Sequence, residues 1–246
     1  MKNLIRGHIY QLKKDRFFFG CLVLSCVFFA VSIRLSSSFA SVTNTVTGIE
    51  RLLYTFLGGD IILYVFMLLT ANTVAEAYRS GVMKNIIGRG IAKKQYYLSI
   101  VFVVSVAYVL VMLLGSIITG VLAGSRVGIG AVAYPGYYAL SVIARILFVI
   151  AHISFVLTMT IYTKNAIIGF AFGLVIPNIP KIVEMILGFL KITVDLDFIK
   201  ISAHMPSVYS ASNDLWSFLS CFAVLCVYLI LAVFAGFRIL KHQDIK

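Results

Sequence analysis

The residues able to do chemistry in this chain are few, and their spacing excludes most enzymatic arrangements. The histidines at 8, 152, 204 and 242 form neither a His-Glu-x-x-His pair nor any close couple, so they supply no zinc ligand set. The cysteines at 21, 26, 221 and 226 fall in two pairs, five residues apart, inside apolar runs. On a helix that spacing turns two thiols about 140° apart, which suits lipid- or core-facing side chains rather than a metal clip. A Gly-x-x-x-x-Gly-Lys-Ser/Thr phosphate cradle is missing, as is any Gly-Lys dipeptide, and no Gly-x-Ser-x-Gly elbow marks a hydrolase. The expectation is a non-enzyme with neither metal nor cofactor of its own.

The charges set inside apolar stretches are more informative. Arg145 stands 19 residues before Lys164, Asp60 stands 16 before Glu76, and Glu184 stands 20 after Lys164, so the three can share one level of a helical bundle. An ionisable group inside a membrane span is costly and is retained for a reason. For Arg145 the alternatives are a structural salt bridge and a role in substrate contact or gating. His152 lies seven residues further on, two turns along the same face.

The elements that must position these residues follow from composition. The 246 residues are 61% hydrophobic and only 12% charged, with a mean hydropathy of +1.02, far from the balance of a soluble domain. Six stretches reach the length needed to cross hydrocarbon: about Phe17–Ile33, Phe56–Ala75, Tyr97–Ala123, Tyr137–Tyr162, Ala166–Leu187 and Leu215–Leu240. Fourteen Lys and Arg against three acids fall on the side that holds both termini, whereas the other side carries six of each sign. That asymmetry places the termini in the cytoplasm. Before the first span, Leu4, Ile5, Ile9 and Leu12 recur among Lys, Arg and Gln, the pattern of a basic helix in the membrane interface rather than a cleaved signal. The whole chain reads as one all-α membrane domain: residues 1–16 interfacial, 76–96 a cytoplasmic loop, and 177–214 an outer re-entrant or interfacial segment interrupted by Pro177 and Pro180. Gly120-x-x-x-Gly124 and Gly169-x-x-x-Gly173 are close-approach motifs, serving either packing inside the bundle or a dimer face.

The loop after the second span holds the densest pattern. It opens with Glu76 and Arg79, turns at Gly81, and sets Val82, Met83, Ile86 and Ile87 on one face of a short helix among Lys84, Asn85 and Arg89. Gly88-Arg89-Gly90 then breaks the helix. Such a segment either lies on lipid or inserts into a partner's groove. Glu76 fits an interfacial acid paired with Arg79 three residues on.

The run from Glu76 through Gly81-Val-Met-Lys84-Asn-Ile-Ile-Gly-Arg-Gly-Ile-Ala-Lys-Lys resembles the corresponding loop of the ABC type 2 exporter permeases, with Val82 standing where that family often has Thr. The basic N-terminal helix, six spans with inside termini and a broken hairpin between spans five and six extend the resemblance over the whole chain. It implies that the loop is a coupling helix docking on a separate cytoplasmic ATPase through Gly81, Val82, Met83, Lys84, Asn85, Ile86, Ile87 and Arg89. Glu76 would be the acid at the cytoplasmic gate, within a charge network of Glu76, Arg79, Asp60, Arg145 and Glu184. It further implies two copies of that ATPase, which bind ATP and magnesium, a second identical or homologous permease subunit, and a bacterial cytoplasmic membrane. Short outer connections and apolar spans point to an amphipathic or hydrophobic substrate, such as an antimicrobial or cytolytic peptide or a drug, with no nucleic acid involved. The other classes are a membrane immunity or scaffold protein that binds a toxin without transport, and a small secondary transporter, for which no internal repeat is visible.

Overall fold

A chain surrounded by hydrocarbon must close its backbone hydrogen bonds on itself. The computed structural model describes residues 2–39, 47–131, 135–190 and 215–242, and every regular element among them is helical. In order these are α1 (Lys2–Lys14), α2 (Arg16–Phe39), α3 (Gly48–Leu57), α4 (Asp60–Arg79), α5 (Val82–Gly88), α6 (Lys93–Val127), α7 (Pro135–Thr163), α8 (Ala166–Val175), a single 3-10 turn (Ile176–Asn178), α9 (Ile179–Phe189) and α10 (Leu215–His242).

Five stretches are long and apolar enough to cross a bilayer: Gly48–Arg79, Lys93–Ser125, Pro135–Thr163, Ala166–Phe189 and Phe218–His242. The expected first span coincides with α2, a helix of 24 residues, but its described apolar portion, Arg16–Val31, is shorter than the other five. The second span differs from expectation. Instead of a helix from Phe56, the chain forms α3, breaks at Gly58-Gly59, and restarts as α4 at Asp60. Thr47 builds a capping box with Glu50 that starts α3, a local signal inside what the hydropathy alone reads as a connection. Pro177 and Pro180 fall where the fifth stretch tightens into the 3-10 turn and restarts as α9, as expected from their missing N–H donors. The remainder of the anticipated outer segment, residues 191–214, lies outside the described residues.

Packing is centred on α7. Residues 151–158 are buried without interruption, so this part of the helix is enclosed on all sides, and α4, α6, α8 and α10 pack on α7. A polar knot joins three of them. Tyr97 Oη of α6 lies 3.1 Å from Ser154 O and 3.0 Å from Thr158 Oγ1 of α7, and Thr158 Oγ1 donates to Ala232 O of α10 at 3.1 Å. Such bonds satisfy hydroxyls where no water competes.

Both small-residue motifs lie inside the bundle. A Cβ on Gly48 would come within 2.8 Å of Gly120 O and 2.9 Å of Gly124 Cα, so α3 and α6 touch backbone to backbone. Gly169 and Gly173 of α8 press likewise on Thr160 and Val156 of α7.

One end of the bundle collects the basic side chains. Lys93 Nζ donates to Leu240 O at 2.8 Å, capping the C-terminus of α10. Lys94 stands over the Phe237 ring and Lys164 over the Tyr78 ring, so the starts of α6 and α8 meet the ends of α10 and α4. The amphipathic α1 docks at this same end: Leu12 and His8 are buried, and the His8 ring meets Tyr96 of α6 edge-on at 5.3 Å. Burial holds the His8 imidazole below its ordinary pKa, with a hydrogen bond to Gln11 opposing the shift.

Two outcomes follow. Gly120→Val overpacks the α3–α6 contact and lowers the detergent-phase thermal midpoint, at a cost of about 1–3 kcal/mol, whereas Gly7→Ala, facing open space, leaves it unchanged. Because His8 is docked as the neutral form with a lowered pKa, α1 docking is at full strength above 6.5 and weakens as pH falls below that value. A spin label at Gly7→Cys becomes more mobile at low pH, and His8→Phe removes that pH dependence.

Candidate functional site

The most unusual group in the bundle is Arg145. Its side chain has 0% exposure in the middle of α7, and its Nη1 donates to Asp60 Oδ1 at 2.6 Å. Nη2 donates to Tyr108 Oη of α6 at 3.0 Å, and Tyr108 Oη donates in turn to Gly59 O at 3.3 Å. The guanidinium also stands 5.2 Å from the Phe148 ring centre. Arg145 thus ties α4, α6 and α7 together at the break between α3 and α4.

That break explains why the acid is Asp60. As the first residue of α4 it sits where the helix exposes unpaired N–H groups, a position that favours negative charge. Its side chain is 43% exposed, so the pair is closed on the arginine side and open on the carboxylate side. From Asp60 to Arg79 the helix rises about 29 Å, close to the hydrocarbon thickness of a bilayer. The pair therefore stands one membrane thickness from the basic end. Two turns along α7, His152 Nδ1 lies 2.9 Å from Phe148 O; a carbonyl only accepts, so this nitrogen carries the proton. The hydrogen bond of His152 and its ring contact with Phe148 both close within α7.

Of the expected charge network, Asp60 and Arg145 are brought together. Glu184 lies on α9, none of whose residues is buried. Glu76 and Arg79 are both exposed at the end of α4 and form no ion pair with each other. This corrects the simple i, i+3 pairing that their spacing suggests. Ser80 instead closes the helix, with its backbone N–H and its hydroxyl both donating to Glu76 O at 2.8 and 2.7 Å.

Immediately beyond, Gly81 turns the chain in the left-handed region at φ +70° and leads into α5. Asn85 N donates to Gly81 O at 3.0 Å. The short helix has two distinct sides. Met83 is fully buried, and Val82, Ile86 and Ile87 are half-buried, the last two against the core, while Lys84, Asn85, Gly88 and Arg89 are exposed. The apolar face foreseen in the sequence is therefore the anchor, and the surface presented outward is basic and polar.

Two participants escape a sequence reading. Tyr108 sits in a long apolar run and carries no local sign that its hydroxyl meets an arginine 37 positions away. The break at Gly58-Gly59 is legible as a Gly pair, but its coincidence with the charge pair is a tertiary fact. Among the described residues, no group of three or more His, Cys, Asp or Glu is arranged to hold a metal ion. Compared with known proteins, the chain matches no family model and no curated protein sequence.

Removing one member of the pair tests the network. Asp60→Ala strands a buried guanidinium and destabilises more than Arg145→Met, which leaves a carboxylate that can still reach solvent. A double-mutant cycle on thermal unfolding gives a coupling of about 1–3 kcal/mol, and Tyr108→Phe alone costs about 1–2 kcal/mol. Strict additivity of the two single changes would show that the pair carries no energy.

Proposed function

We propose that this chain is the membrane-spanning permease subunit of an ABC-type exporter, driven by a separate cytoplasmic ATPase. The observation that carries the reading is α5: a seven-residue helix between two long apolar helices, pinned by Met83 and presenting Lys84, Asn85 and Arg89 outward at the basic end. A rigidly anchored knob of this kind transmits force, whereas a free loop would absorb it. Its resemblance to the coupling helix of the type 2 permeases supplies the partner.

In this reading α2 is the sixth crossing, and both termini face the cytoplasm, because the basic end is the one retained on that side. Two ATPase copies bind ATP and magnesium; their closure pushes α5 and reshapes a pathway between two permease subunits, lined by α2, α4 and α8. A second identical or homologous copy covers the stretch Ala166–Phe189, the least buried of the five long ones. Glu76 stands at the cytoplasmic mouth. Substrates are amphipathic or hydrophobic peptides or drugs, for which the apolar flanks of the bundle provide lateral access. The bacterial cytoplasmic membrane is the expected location.

Exposed residues of α5 give the cleanest test. When the detergent-solubilised chain is purified from its host, a P-loop ATPase comes with it. Lys84→Glu combined with Arg89→Glu reduces that recovery by about tenfold or more without moving the thermal midpoint. Ile86→Asp, by contrast, lowers both, since Ile86 packs inward. If the native chain brings no nucleotide-binding protein, the exporter reading falls and a toxin-sequestering membrane protein takes its place.

A further inference from the structure

A cleft of about 580 Å³ opens at the basic end, between the α1–α2 corner and the last turns of α4. α1 packs on α6 through His8 and Tyr96, and the cleft lies between α1 and α4. One wall carries Tyr10, Lys14 and Arg16; the other carries Thr73, Glu76 and Ala77. Its volume falls in the ordinary range for small-ligand sites.

The charges lining the cleft are distributed in an unusual way. Among the described residues neither the Arg16 guanidinium nor the Glu76 carboxylate has a hydrogen bond or ion pair, and the Lys14 ammonium rests only against the Tyr10 ring, 5.8 Å from its centre. Asp15, also in the lining, is already engaged: its Oδ1 accepts from Phe17 N at 2.8 Å, holding the corner between α1 and α2. The cleft therefore offers two cations on one side and one uncommitted carboxylate on the other. The end of a bundle that collects Lys, Arg and tyrosines is where lipid headgroups lie.

We propose that this cleft seats the headgroup of one zwitterionic phospholipid of the bilayer, its phosphate between Lys14 and Arg16 and its ammonium on Glu76. Charge-assisted hydrogen bonds to phosphate and carboxylate are the strong kind, and both ends of such a headgroup are satisfied at once. An anionic headgroup satisfies the cations and leaves Glu76 facing a like charge or none. The apolar part of the lining, the half-buried Ala77 and Val82, receives the beginning of the acyl chains. A bound lipid here closes the gap that α1 leaves beside α4, fastening the interfacial helix to the membrane. This inference needs only the membrane character of the chain and stands apart from the ATPase reading.

Native mass spectrometry of the purified chain tests it, with dihexanoyl phosphatidylethanolamine and dihexanoyl phosphatidylglycerol as probes. The native chain retains the ethanolamine lipid in preference. Glu76→Gln reduces ethanolamine-lipid retention by about tenfold and leaves the glycerol lipid unchanged or stronger. Lys14→Ala with Arg16→Ala reduces both. Thr73→Trp, which fills the cleft and keeps every charge, also reduces both. Equal retention of the two lipids by the native chain, or an unchanged preference in Glu76→Gln, overturns the proposal. All three variants alter half-buried or exposed positions, and an unshifted thermal midpoint separates lost binding from lost folding.

Discussion

A fully buried arginine is the constraint around which the bundle is arranged. Left without partners in a low-dielectric interior, the Arg145 guanidinium would cost several kcal/mol even after relaxation, so the fold brings it an acid, a phenol and an aromatic face. Each partner comes from a different stretch of chain. The acid stands on α4 because the helix begins there, and the helix begins there because Gly58-Gly59 breaks the one before it. The phenol of Tyr108 reaches across from α6 and gives the Gly59 carbonyl, which already accepts from Leu63 N, a second donor at that same break. A discontinuity that would be intolerable against lipid is thus closed by the group that most needed neighbours.

The rest of the packing follows from keeping these helices close. α3 can run beside α6 only because glycine faces glycine, at Gly48 against Gly120 and Gly124. α8 approaches α7 by the same device at Gly169 and Gly173, and the Tyr97–Thr158–Ala232 knot ties α10 to the opposite side of α7. With four helices packed on it, α7 has little freedom to move. On the exporter reading, motion belongs instead to the elements that do not surround α7, namely α1, α2 and α9.

Much of this was legible in the sequence, and the omissions are instructive. The long apolar stretches, the basic end and the proline-interrupted fifth stretch each follow from a local rule, since length, charge sign and a missing N–H act where they stand. α5 was legible for the same reason: Val82, Met83, Ile86 and Ile87 share one helical face, and Gly81 supplies the turn. What the pattern does not give is which face is anchored. Met83 is buried and Lys84 is exposed because of how α5 sits against its neighbours, which is a tertiary outcome. The shared level of Asp60 and Arg145 could be counted from the loops, whereas Tyr108 could not, and the Glu76–Arg79 spacing suggested a pair that the geometry does not make. α3 escaped because hydropathy averages its Glu50 and Arg51 into a connection, although the Thr47–Glu50 capping box marks where it starts.

The functional account rests on α5 acting as a mechanical contact with an ATP-driven partner. The most direct test places a photo-crosslinking amino acid at Asn85, exposed at the centre of α5, and irradiates membrane vesicles supplied with a photoreactive, radiolabelled ATP analogue. The account predicts a crosslinked product in which the captured protein itself carries the nucleotide label, and in which excess unlabelled ATP abolishes that label. Crosslinks to lipid alone, or to a protein that takes up no nucleotide, would contradict it.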